Sequence, residues 1–135
     1  DACLQEDSSR PALVFMHHPP FITGMGAMDE PFEGADLLRD VLSRAPWARL
    51  CCGHMHRPIF TAWAQGLALT VPSISMQIDL DLSPEGGDTF RMEMPGYMLP
   101  HWDGSHLNSH VCQIPADVDF SGPHPFADSV NPVED

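Results

Sequence analysis

Two apolar runs, 11–16 and 47–52, flank one amphipathic stretch, and each run ends in a histidine cluster. The first run, Pro-Ala-Leu-Val-Phe-Met, has no polar interruption, the pattern of a strand buried on both faces. Between the runs, Leu37, Leu38, Val41, Leu42 and Ala45 recur at helical spacing, which predicts a helix over 35–45 with one apolar stripe. Asp36, Asp40 and Arg44 share another face at intervals of four, in the acid-before-base order that suits the helix dipole. Pro46 cannot continue the helix. Strand, helix, strand is a βαβ unit, so the two strands are expected to be parallel neighbours joined by a right-handed crossover. That arrangement brings His17 and His54, 37 positions apart, to the same carboxyl edge of a sheet. Open α/β sheets usually bind their ligands at that edge.

The segments around this unit read differently. Residues 17–34, rich in Pro, Gly and Met, form a loop long enough to suggest a lid or binding loop. Residues 59–64 and 67–71 read as strands about a Gln65-Gly66 turn. Over 74–82, Ile74, Met76, Ile78, Leu80 and Leu82 alternate with polar residues, which predicts a strand with one apolar face. After a turn at 84–88, residues 89–94, 97–102 and 106–114 read as an antiparallel meander, with Asp103-Gly104 as a tight turn. The expected organisation is a linker or extension over 1–10, a domain over 11–114 and a surface tail over 115–135.

The chain has 135 residues, 43% of them hydrophobic, enough for one globular domain. Its net charge of −13 disfavours nucleic-acid polymers and anionic membrane surfaces. No stretch approaches the ~20 apolar residues of a membrane span. A phosphate-bearing substrate would need a local positive centre, either a metal ion or one of the few arginines. Cys3, Cys51, Cys52 and Cys112 include no Cys-x-x-Cys pair, which argues against a thiolate zinc site. They read as reduced thiols, and the expected location is cytoplasmic.

The chemistry concentrates in Met16-His17-His18-Pro19-Pro20 and Cys52-Gly53-His54-Met55-His56-Arg57-Pro58. Imidazole is the commonest side-chain ligand of transition metals. A histidine beside a buried strand is more often structural, but Gly-His-x-His, with a glycine permitting a tight turn, holds two imidazoles together. Arg57 is a candidate for a phosphate contact or for an ion pair. Met25 and Met28 are candidates to touch a partner or substrate at a cleft mouth. Asp79 and Asp81 read as a solvated strand face, and His101, His106, His110 and His124 lie near turns or in the meander.

These strings resemble two motifs of the calcineurin-like metallophosphoesterases, a strand ending in His-x-Pro and another ending in Gly-His-x-His. The resemblance extends to the bacterial phosphodiesterase branch, of glycerophosphodiesterase and cyclic-nucleotide phosphodiesterase type. It covers His17-His18-Pro19-Pro20-Phe21-Ile22-Thr23-Gly24, Met28-Asp29, Cys52 to Pro58 and Pro95-Gly96-Tyr97. It implies the carboxyl-terminal half of an αββα sandwich. It also implies a centre of two transition metals (Fe, Mn or Zn), with His17 and His54 on one metal and His56 on the other. His18 would lie beside the cleft, on the substrate side. The family's Asp-x-His, Gly-Asp and Gly-Asn-His motifs do not precede Met16. The expectation is therefore part of a binuclear phosphodiesterase acting on small or cyclic phosphodiesters. Alone, this part would hold metal incompletely and be inactive, pairing with a missing amino-terminal half or with further copies of itself. Two other readings stay open: a non-catalytic assembly module derived from that fold, and a mononuclear zinc hydrolase using the three histidines.

Overall fold

The structure is a computed structural model that describes residues 2–30, 32–85 and 89–114. The 115–135 segment and His124 lie outside the described residues. Strands β1 (Ala12–Met16) and β2 (Ala48–Cys52) are parallel and in register from Ala12↔Ala48 to Met16↔Cys52. The first ten residues include a short helix, α1 (Ala2–Glu6), whose Leu4 packs on the core. Helix α2 (Ala35–Ser43) makes the crossover, starting after Gly34 at φ 89°. It stops two residues before the predicted end. The amides of Arg44 and Ala45 bond to the Val41 and Leu42 carbonyls, a tightening of the last turn before Pro46.

Strands β3 (Ile59–Trp63) and β4 (Gly66–Thr70) form the predicted hairpin. Its turn residues Ala64 and Gln65 are both left-handed, at φ 51° and 62°. Positive φ at both central positions is what a right-twisted two-residue hairpin requires. The hairpin places β4, not β3, beside β2 and parallel to it, giving the order β1-β2-β4-β3. The result is a mixed α/β fold. Leu42 and Ala45, at the end of α2 and just past it, pack with Ala48, Leu50, Cys52 and Ala68 of the central strands.

Three expectations are corrected. Residues 11–16 are not buried on both faces: no residue of β1 is fully buried, and Phe15 is 71% exposed because no second layer closes over it. The alternating 74–82 run is not one strand; only β5 (Gln77–Ile78) forms, and Ile74, Leu80 and Leu82 are exposed. The buried Gln77 amide accounts for this, since it bonds the Ser73 amide and the Ser73 and Ser75 carbonyls and so holds that segment in a turn. The meander is divided: β6 (Phe90–Arg91) pairs with β5, while β7 (Gly96–Trp102) and β8 (Leu107–Gln113) form a separate hairpin. Arg49 ties that hairpin to the sheet, donating to Ser109 Oγ and to the Leu107 carbonyl, both at 2.6 Å.

Candidate metal centre

The β1 and β2 ladders run out at Met16 and Cys52, and the histidines follow at once. The Gly53 amide still bonds the Met16 carbonyl at 3.2 Å, so the strand ends stay together as the chains leave the sheet. Gly53 also makes room for a ring: a Cβ there would stand 3.3 Å from His17 Nδ1. The Met55 amide then bonds the Gly53 carbonyl at 2.7 Å, a three-residue turn centred on His54. His54 and His56 both have positive φ, 64° and 51°, without being glycine. Such strain persists only where the surroundings enforce it, and it gathers at functional sites. Here the enforcing residue is Met55. It is fully buried against Met25 and Ile78 and anchors the turn between the two histidines.

His17, His18 and His54 converge. Each offers a ligand atom, and these atoms lie within 4.8 Å of one another. The ring centroids are 4.8 Å (His17–His18), 5.4 Å (His17–His54) and 4.2 Å (His18–His54) apart. His56 lies outside this group; its Nδ1 is 3.1 Å from the Met76 carbonyl. His54 Nε2 is 3.2 Å from the Met28 carbonyl. A carbonyl only accepts, so in a neutral ring the nitrogen facing it carries the proton and the other keeps a lone pair. His54 therefore presents Nδ1, and His56 presents Nε2. Metal-binding histidines are usually held this way, by a carbonyl or carboxylate on the far nitrogen. His18 Nδ1 is buried and makes no hydrogen bond, although Glu30 Oε2 lies 3.2 Å away, out of line with the ring N–H. A buried ring nitrogen without a hydrogen bond is the kind of group that a cation satisfies. The donor set therefore fits a transition metal.

Several neighbours have other employment. Arg57 donates to the Ile78 carbonyl and pairs with Glu93 at 2.8 Å, so the ion-pair alternative describes it here. Met25 is a core residue with Met28 packed on it, not a contact at a cleft mouth. Asp79 pairs with Arg91, which holds its carboxyl below the usual range, while Asp81 accepts from the Ser83 amide. His101, His106 and His110 are exposed on or beside the β7–β8 hairpin. Burial pushes the Cys52 thiol up to about 12, and the Cys51 thiol rises for the same reason. The sequence reading missed the Met28 and Met76 carbonyls and the carboxylates of Asp29 and Glu30. Main-chain carbonyls leave no trace in residue pattern, and Met28-Asp29 had entered only as part of a matching string.

The resemblance to phosphodiesterases is matched by comparison along most of the chain. The chain is similar to bacterial proteins named as phosphodiesterases. It is 35% identical over 127 residues to "Probable glycerophosphodiester phosphodiesterase GpdQ" of Arcobacter nitrofigilis, a match covering 91% of this chain and 45% of that protein. It is 31% identical over 116 residues to "Probable cyclic nucleotide phosphodiesterase RPA0124" of Rhodopseudomonas palustris, covering 84% of this chain and 42% of that protein. Against the glycerophosphodiester phosphodiesterase GpdQ of Enterobacter lignolyticus it is 34% identical over 80 residues, 58% of this chain and 29% of that protein. The chain thus spans less than half the length of these curated relatives. No family model matches it. None of the described helices is long and apolar enough to cross a membrane.

Proposed function

We propose that this chain supplies histidine ligands to a metal-dependent phosphodiesterase centre of the metallophosphoesterase type, acting on small or cyclic phosphodiesters. The observation that carries the reading is the meeting of His17 and His54, with His18 beside them, at the carboxyl ends of β1 and β2. His17 and His54 serve one metal and His56, through Nε2, a second. His18 stands beside them on the substrate side, close to Glu30. Two divalent or trivalent ions, when bound, would polarise the phosphoryl oxygens and generate a nucleophile at neutral pH. The protein's own part is to hold His54 and His56 in set tautomers on a strained turn and to bring His17 beside them at the end of β1. The chain spans less than half the length of its curated relatives, and on this reading its 135 residues hold half of an αββα sandwich and do not turn over substrate alone.

The test is titration of the chain with Mn²⁺, Zn²⁺ or Co²⁺, alongside assay with bis(4-nitrophenyl) phosphate. Binding that His17→Ala and His54→Ala each abolish, without turnover, is the expected result. Absence of binding would overturn the metal reading, and turnover sensitive to His54→Ala would overturn the claim of inactivity. A second reading, an assembly module, is favoured by the open edge of β1, where Phe15 stands exposed. A concentration-dependent oligomer that binds no metal would support it.

A further inference from the structure

Loop 17–34 closes on itself through one carboxylate. Asp29 Oδ1 accepts from both the amide and the hydroxyl of Thr23, and Oδ2 accepts from the Gly24 amide, each at 2.8 Å. Inside that closure, the Met28 and Asp29 amides bond the Met25 and Gly26 carbonyls, forming the short 3-10 turn Gly26–Met28. Met25 fastens the turn to Met55 from below, and the Met28 carbonyl faces His54 Nε2. We infer that Asp29 is a positioning residue: by closing the 23–29 loop it holds the Met28 carbonyl on His54 Nε2 and leaves Nδ1 free to bind a transition-metal ion. The consequence for metal rests on the reading above; the positioning itself does not.

The geometry requires such a hold. His54 sits at a positive φ in a turn of its own, and that backbone limits the ring's rotamers without deciding which ring nitrogen carries the proton. Without the carbonyl, either nitrogen can carry the proton and the ring is free to swing. Loss of an outer partner of this kind typically weakens metal binding by about 10–100-fold. Asp29 is suited to the task because its acceptor sites are matched by donors from Thr23 and Gly24, six and five positions away.

The test reads the tautomer directly. Two-bond ¹H–¹⁵N correlation of the imidazoles, at about pH 8 where an ordinary histidine is neutral, is recorded for the full chain, Asp29→Ala, Asp29→Asn, Thr23→Val and Thr23→Ser. In the wild type His54 carries its proton on Nε2. Thr23→Ser keeps both donors and matches the wild type. Thr23→Val is close in shape and removes only the hydroxyl; it and Asp29→Asn shift His54 part-way toward a mixture. Asp29→Ala abolishes the preference. Zn²⁺ titration of the same proteins is expected to show about 10-fold or greater weakening in Asp29→Ala. If Asp29→Ala does not fold, the Thr23→Val and Thr23→Ser pair decides. An unchanged His54 tautomer in the folded variants overturns the positioning role, whatever the metal data. A tautomer that shifts in a chain without affinity for Zn²⁺ upholds the role and overturns the metal reading alone.

Discussion

The βαβ unit and the β7–β8 hairpin treat their apolar side chains in opposite ways. In the former, Leu50 and Cys52 are buried in the cluster that also takes in Leu42 and Ala45, closed by Ala68 of β4. In the latter, Tyr97, Leu99, Trp102, Val111 and Ile114 remain exposed, although β7 and β8 pair over seven residues each. Pairing satisfies the backbone but does not by itself remove side chains from water; that requires a second layer. The hairpin is held at its borders by the Arg49 bonds and by Gly96, whose amide donates to the Ser73 carbonyl. The histidines of the candidate centre follow β1 and β2, and the turn that carries His54 and His56 has the buried Met25–Met55–Ile78 cluster at its middle residue.

Truncation in the central sheet should break this contrast most visibly. Leu69→Ala removes a fully buried side chain and should cost about 2–5 kcal/mol in urea unfolding of the full chain. Arg49→Ala should cost about 1.5–3 kcal/mol, the range for hydrogen bonds to a charged group, and should free the hairpin amides to exchange while the β2–β4 amides stay protected. Gly96→Ala should cost about 1–3 kcal/mol and shift the first hairpin pair, since a Cβ would fall 2.7 Å from the Cys112 carbonyl. Val111→Ala, on the exposed hairpin, should change stability by less than about 0.5 kcal/mol. A loss comparable to that of Leu69→Ala would show that the hairpin face is covered in solution.

A pH experiment sharpens the same comparison from the buried side. The Cys52 thiol ordinarily ionises near 9.0 but is pushed to about 12 in the fold. Between those values the unfolded chain releases a proton that the folded chain keeps, so stability falls as pH rises through that window. Unfolding midpoints should drop above pH 9, and Cys52→Ala should flatten the decline. An unchanged slope in that variant would exclude Cys52 as the source.

Much of the βαβ unit was readable from spacing alone. The continuous run before His17, the stripe through Leu38 and Leu42 and the stop at Pro46 each encode a local conformation. The β3–β4 hairpin was legible too, but its turn was read at Gln65-Gly66 and falls one residue earlier, at Ala64-Gln65, with Gly66 opening β4. The 74–82 alternation misled because Gln77, a single buried amide, bonds nearby backbone groups and holds a turn where the pattern called for a strand. The clustering of His17 with His54 followed from parallel pairing, whereas the inclusion of His18 and the separate placement of His56 did not.

Residue pattern was thus sufficient for the crossover unit and for histidines at one sheet edge, because strand and helix periodicities express local sterics and burial. Only the assembled fold settled that β4 lies beside β2 and which ring nitrogen of His54 and His56 faces a carbonyl. It alone showed that Asp29 closes the loop presenting one of those carbonyls. These features depend on main-chain groups 20 or 26 positions away from the rings they orient, brought there by packing around Met55. Every residue carries the same carbonyl, so its direction is written in the tertiary contacts and not in the identity of the residue that bears it.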